Sequence, residues 1–328
     1  MEFLADYGLF LAKTLTLVVA VVLLFGFLAT LSKRVAASES LHVDNLNRRY
    51  RSLAGTLKSA ALGKRELKAL LKAHKDSDKS RRKSGATRPR TFVIDFKGDL
   101  RATGTTALRE EINAVIGVAG DDDEVLVRLD NAGGTVHEHG LAASQLLRLR
   151  ERGIPLTVAV DKVAASGGYL MACVADRIVA APFAILGSIG VLAQLPNFNR
   201  LLDKHGIDFE QITAGRHKRS VTMFGKNTEE DRKKLKEELE DIHELFKSMV
   251  QTYRPSLDLE RVATGEHWYG RRALELNLAD ELATSDELLL ARLDEREVLK
   301  VSYKARLPLK KKVLGFVDAV AERIAGRP

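Results

Sequence analysis

One cysteine is present in 328 residues. The chain therefore forms no internal disulfide, needs no oxidising compartment to fold, and has no thiolate set for a metal cluster. Cys173 reads as a core residue. The eight histidines show no metal-ligand spacing such as His-Glu-x-x-His, so a histidine-ligated metal is not expected. With 7 prolines and 24 glycines the chain is too poor in both for a collagen-like class, and mucin-like and low-complexity classes are excluded as well. No internal repeat of about 20 to 50 residues stands out.

What remains, 45% apolar and 29% charged residues, is the composition of a globular protein. The length suits two domains, or one large domain with attachments. The net charge of +8 is concentrated: 17 Lys or Arg face 5 Asp or Glu between Lys33 and Arg90, and the span 91–328 is slightly acidic. A near-neutral body joined to a basic stem gives no reason to expect nucleic acid as a partner.

Between Lys13 and Lys33 lie 19 uncharged residues, TLTLVVAVVLLFGFLATLS. As a helix they would be about 28 Å long, close to the roughly 30 Å of a bilayer's hydrocarbon. The run exceeds the usual apolar stretch of a signal peptide, and Ala36-Ala37-Ser38 is the nearest candidate for a cleavage site. Residues 1–34 are thus expected to be an uncleaved single-pass anchor in a lipid bilayer. Lys33, Arg34, Arg48 and Arg49 follow the span and Lys13 alone precedes it, a bias that favours a cytoplasmic body. The span 35–90 reads as a basic helical stem or linker, a solvated spacer or a surface for anionic headgroups. Within 291–328, Val313, Phe316, Val317, Val320 and Ile324 recur at helical spacing behind Lys310, Lys311 and Lys312. Such an amphipathic helix suits a membrane surface or a neighbouring subunit.

From residue 91 to 290 the pattern alternates. Strands are expected at 91–96, 124–130, 155–161, 177–182 and 209–215, with helices at 107–119, 140–153 and 228–253. Strands that are apolar throughout, separated by helices, predict an α/β domain with a parallel sheet covered on both faces. Three loops after expected strands carry chemistry. Asn131-Ala132-Gly133-Gly134 can present backbone N–H groups to a ligand, or can be an ordinary turn. Ser166, between Ala165 and Gly167-Gly168, is either a helix N-cap or a nucleophile at a helix N-terminus. Lys218, flanked by Arg216, His217 and Arg219, is a solvated lysine unless its surroundings bring its pKa down from about 10.4, where it could accept a serine proton.

Taken together, LTVAVDKVAASGGYLMACVADRIVAAPFAILGSIGVLAQLPNFNRLL (156–202), ITAGRHKRSVTMFG (212–225) and ATGEHWYGRRALELNLADE (263–281) resemble the signal peptide peptidase (SppA/SohB) serine protease family. The short, single-unit SohB type is the nearest. The resemblance runs from about 91 to 285 and implies a ClpP- and crotonase-like α/β fold with a Ser/Lys dyad, which needs neither a metal nor a diffusible cofactor. By matching motifs, it implies Ser166 as nucleophile, Lys218 as general base and Ser188 as the serine that orients the lysine. It also implies an oxyanion hole from the backbone N–H groups of Gly134 and Gly167. The family's usual Ser-Pro-Gly-Gly turn is Asn-Ala-Gly-Gly here, without the stiffening proline. Substrates implied are apolar peptides such as signal-peptide remnants. A homo-oligomeric ring is implied, with each site shared between subunits, as is a bacterial inner-membrane location with a periplasmic body, against the charge bias. Two readings from other classes keep the fold: a crotonase-like acyl-CoA enzyme, and a non-catalytic membrane scaffold. A Ser-His-Asp protease would need His217 or His243 as its base.

Overall fold

Apolar, β-branched runs leave a chain segment few choices but a strand buried on both faces, and the body is built from such segments. A computed structural model describes residues 7–19, 40–63, 65, 66, 68, 69, 72, 88–215, 218 and 221–304. The chain enters through strand β1 (Ser40–Asn45) and helix α1 (Leu46–Ala61), then β2 (Arg90–Lys97), α2 (Thr105–Ile116), β3 (Glu124–Asp130) and α3 (Val136–Glu151). There follow β4 (Leu156–Val160), β5 (Val163–Ala165), α4 (Gly167–Ala172), β6 (Arg177–Ala180), β7 (Ile185–Gly187) and α5 (Asn199–Lys204). The last elements are α6 (Glu229–Tyr253), α7 (Leu259–Val262), β8 (His267–Tyr269), α8 (Gly270–Glu275), β9 (Glu281–Leu282), α9 (Ser285–Arg292) and β10 (Glu297–Lys304).

A seven-stranded sheet has the order β1-β10-β2-β3-β4-β6-β9, and every pairing from β10 to β9 is parallel. Its strands alternate between two cores. Phe92, Ile94, Val125, Val127, Leu156 and Val158 face the layer formed by Leu108, Ile112, Leu146 and Leu149 of α2 and α3. Val93, Leu126, Ala159 and Val179 face Leu46 of α1 and Leu288 and Leu289 of α9. The fold is thus a mixed α/β body on a parallel sheet covered on both faces, as the apolar strands require.

The compact unit that holds the sheet runs Val43–Ser302, and β10 inserts beside β2 in register Glu297↔Arg90 to Val301↔Ile94. Between 35 and 90 the described residues include strand β1 and then helix α1. One expectation needs correction: residues 209–215 form no strand, find no hydrogen-bonded neighbour strand among the described residues, and leave Ile212 95% exposed. Among the described residues no helix is long and apolar enough to cross a membrane. Residues 7–19 are helical and exposed, while the greater part of the expected span, and the whole amphipathic stretch 310–324, lie outside the described residues.

Charged side chains tie the strand ends. Asp161, just past β4, accepts from the backbone N–H and the hydroxyl of Ser285 at 2.7 and 2.6 Å, which fixes the start of α9. Asp123 accepts from the Arg90 guanidinium and from the backbone N–H groups of Arg90 and Gly120. Burial alone would raise the Asp123 carboxyl, but these donors outweigh it and hold it below the usual carboxylate range. A depressed folded-state pKa stabilises the protein above the unfolded value of about 3.9 and stops doing so as pH falls through the folded value. Asp123→Asn is therefore expected to cost stability at pH 7, and the gap to the parent should narrow on acidification in urea unfolding. A constant gap from pH 7 to 3 would show that the ionised carboxylate is not what Arg90 stabilises.

Candidate active site

Beyond the C-terminal ends of the main strands lies a smaller sheet, β5-β7-β8, the region where open α/β sheets collect functional groups. β5 and β7 run parallel, with Ala165 opposite Gly187. Ser166 and Ser188 follow those two residues directly, so the paired strands deliver the two serines side by side. The Ser166 N–H donates to Gly187 O at 2.8 Å and locks that register. On the other side of β5, Asn131 forms a parallel bridge with Ala164, which brings the 131–134 turn alongside Ser166.

Both serines have backbone conformations that L-residues avoid, with φ of +52° at Ser166 and +51° at Ser188. Each costs on the order of 1–3 kcal/mol, and such strain persists only where the surroundings enforce it. Ser166 sits at a sharp strand-to-helix turn between β5 and α4, which lifts its side chain out of both elements. Its hydroxyl makes no capping bond, so the N-cap reading fails. Ser166 is half-buried, whereas Gly167, Gly168 and Tyr169 behind it are fully buried. α4 is anchored there by the Tyr169 hydroxyl, which donates to Leu278 O at 3.1 Å.

The glycines follow from close approach. A Cβ on Gly133, at φ +90°, would lie 2.8 Å from Ser166 Cβ, from Gly167 N and from Ala165 O. A Cβ on Gly168 would fall 2.1 Å from Asn131 O, and one on Gly167 would fall 2.5 Å from His139 Cγ. The backbone N–H of Gly133 is already used, donating to Asn131 Oδ1 at 2.9 Å. Those of Gly134 and Gly167 find no acceptor among the described residues. Two free backbone donors flank an unbonded serine hydroxyl, the arrangement an acyl-transfer oxyanion requires.

Lys218 stands apart. It is exposed, and among the described residues its side chain makes no hydrogen bond or ion pair; its backbone N–H reaches Gly215 O at 3.2 Å. Arg216, His217 and Arg219 lie outside the described residues. The structure thus unites Ser166, Ser188, Gly134 and Gly167 but does not hydrogen-bond Lys218 to any of them. His243 makes no hydrogen bond to Ser166 among the described residues; its Nε2 faces the Ile189 carbonyl at 3.2 Å.

The matches to known families cover nearly the whole chain. The description "Peptidase family S49 N-terminal" fits residues 2–146 and "Peptidase family S49" fits residues 148–299. The chain belongs to peptidase family S49. "Probable protease SohB" of Haemophilus influenzae is 45% identical over 95% of this chain and 92% of its own length. "Probable protease SohB" of Buchnera aphidicola is 46% identical over 92% of this chain and 90% of its own. A solved membrane-bound stomatin-specific protease with a substrate peptide is a looser likeness, at 15% identity and TM-score 0.43 over 71% of this chain and 99% of that one.

As an S49 member the protein is a peptidase, in agreement with the resemblance read from the 156–202, 212–225 and 263–281 segments. Sequence reasoning missed two residues at its centre. Asn131 is 1% exposed, and His139 is fully buried behind Gly167. Asn131 had been legible only as the departure from Ser-Pro-Gly-Gly, and His139 looked like any histidine on a helix.

Proposed function

We propose that this peptidase is a membrane-anchored serine endopeptidase that works through a Ser166/Lys218 dyad completed between neighbouring copies of the chain. The observation that carries the reading is the strained, unbonded Ser166 beside Ser188 and the free N–H groups of Gly134 and Gly167. The exposed Lys218, without a side-chain partner among the described residues, suits a base that acts on the next subunit. Exposed Leu192, Leu195, Leu201, Ile207, Phe209 and Ile212 in the segment leading to it would form the apolar contact between copies.

In this mechanism Ser166 Oγ attacks the peptide carbonyl as neutral Lys218 Nζ takes its proton. Ser188 orients the amine, and the two backbone N–H groups stabilise the oxyanion. The ammonium of Lys218 returns the proton to the leaving amine as the C–N bond breaks. Water then repeats the sequence on the acyl-enzyme and frees Ser166. Apolar segments such as signal-peptide remnants are the substrates, bound extended along a strand edge. The uncharged run 14–32 anchors the chain in a bacterial inner membrane, with the body in the periplasm, since long translocated domains are least governed by flanking charge.

Ser166→Ala and Lys218→Ala should each abolish casein cleavage by the full-length protein in detergent. Mixed oligomers of the two should regain roughly a quarter of the parent rate, because some sites then pair an intact serine with an intact lysine. Parent-level cleavage by either single mutant would overturn the dyad, and mixed oligomers without activity would overturn its sharing between chains.

A further inference from the structure

The turn that carries Gly133 and Gly134 lacks a proline to stiffen it, yet it must hold a backbone N–H steady at hydrogen-bond distance from a developing charge. We infer that Asn131 and His139 form a positioning pair that stiffens this turn and seats Gly167, so that the two oxyanion donors stay aimed at the same point. The inference deepens the serine-peptidase reading and rests on it.

Asn131 is held at both ends of its backbone: its N–H donates to Val163 O at 2.8 Å, and its carbonyl accepts from Ala165 N–H at 3.0 Å. The side chain then turns back over the loop. Oδ1 accepts from Gly133 N–H at 2.9 Å, and Nδ2 donates to Met171 Sδ at 3.3 Å. An Asx-type bond of this kind does what a proline ring does by covalent means, restricting the two residues that follow. It also consumes the Gly133 donor, so Gly134 is the residue left to face a substrate.

His139 completes the link. Its Nε2 lies 3.3 Å from the same Asn131 Oδ1, and its Nδ1 lies 2.9 Å from Thr135 O at the start of α3. Its ring lies so close to Gly167 that a Cβ there would be 2.5 Å from Cγ. One imidazole therefore touches the turn through Asn131 and backs the residue that follows the nucleophile. Both ring nitrogens face acceptor oxygens and a neutral imidazole donates from one of them, so the link to Asn131 takes the tautomer with its proton on Nε2; with no hydrogen bond to the Ser166 hydroxyl among the described residues, His139 acts through the backbone and is not the base.

The pair can be bypassed. The Ala132 N–H makes no hydrogen bond among the described residues, and Asn131 is in extended, strand-like pairing, which is the conformation a following proline prefers. Ala132→Pro should restore the stiffness without the side-chain link.

The test uses the full-length oligomer and an apolar fluorogenic peptide, with Ser166→Ala as reference and thermal unfolding as the check on folding. Asn131→Leu, which keeps the volume and removes the acceptor, and His139→Phe, which keeps a ring and removes the nitrogens, should each lower kcat about 10- to 100-fold with KM nearly unchanged, the signature of a lost transition-state interaction. Asn131→Asp keeps the acceptor and should lose far less. Adding Ala132→Pro to Asn131→Leu should recover at least ten-fold, which a merely structural defect would not do. Should Asn131→Leu fail to fold, His139→Phe alone and with Ala132→Pro reads the same link from the other end. If the side-chain variants cleave at the parent rate, or the proline recovers nothing, the positioning role is overturned. Activity in Ser166→Ala would instead overturn the nucleophile and leave the turn's role a separate matter.

Discussion

Gly133→Ala is expected to lower peptide cleavage at least about 100-fold, the scale on which loss of a single oxyanion donor is felt. The reason is local and severe. An alanine methyl would have to sit 2.8 Å from Ser166 Cβ, Gly167 N and Ala165 O, at a φ of +90° that alanine rarely adopts. Two of those three atoms are backbone, so neither can swing aside as a flexible side chain would. The turn, Ser166 or the first turn of α4 must move, and any of these shifts the Ser166 hydroxyl relative to the free N–H groups. The accompanying loss of stability should be about 1–3 kcal/mol, too small to unfold the body. Steady-state kinetics with parallel circular dichroism therefore separates a misplaced site from a lost fold. A folded Gly133→Ala protein cleaving within about three-fold of the parent would mean that the turn does not bear on the nucleophile, and the oxyanion assignment would fall with it.

A second large effect is expected at the far end of α6. Arg254 is 7% exposed and makes a two-pronged ion pair with Asp280, Nη1 to Oδ2 at 2.9 Å and Nη2 to Oδ1 at 2.6 Å, with Asn277 O accepting at 3.0 Å. Burial pulls the guanidinium pKa down, and the Asp280 hydrogen bonds and charge outweigh it, so the net shift is upward. The partners are not equally protected, because the Asp280 side chain keeps 34% of its exposure. Asp280→Ala strands a buried guanidinium and also removes the acceptor of Ile178 N–H, which Asp280 Oδ2 holds at 2.7 Å. It should cost about 3–5 kcal/mol. Arg254→Met leaves a carboxylate that water can reach and that still holds Ile178, and it should cost clearly less. Urea unfolding of the two variants checks the order. Equal losses would show that the pair behaves as a surface salt bridge, worth about 1 kcal/mol or less.

The difference between what was legible early and what was not has a consistent cause. Strands β2, β3, β4 and β6 announced themselves because burial on both faces demands uninterrupted apolar residues, and α6 because a long charged stretch runs up to Arg254-Pro255; the structure adds the Thr228/Asp231 capping box at its start. Strand β10 was missed because EVLKVSYK mixes apolar and charged residues, as a strand nearer the sheet edge can. The expected strand at 209–215 had the right residue types and no neighbour to pair with, and pairing is a property of another part of the chain. The three-residue strands β5, β7 and β8 are too short for any period to register, yet they set Ser166 against Ser188.

The candidate site divides along the same line. Ser166 and the Gly133-Gly134 turn stood out locally, because small residues beside a serine after an apolar strand leave room for close approach, whereas Ser188 was named only through the resemblance to the family. By itself the sequence determined the family, the parallel α/β body and the peptidase class. Only the tertiary structure decided that Asn131 and His139 meet behind the glycines, and that Lys218 finds no side-chain partner among the described residues. Side-chain bonds across a turn and a helix depend on distances between segments that no local pattern encodes.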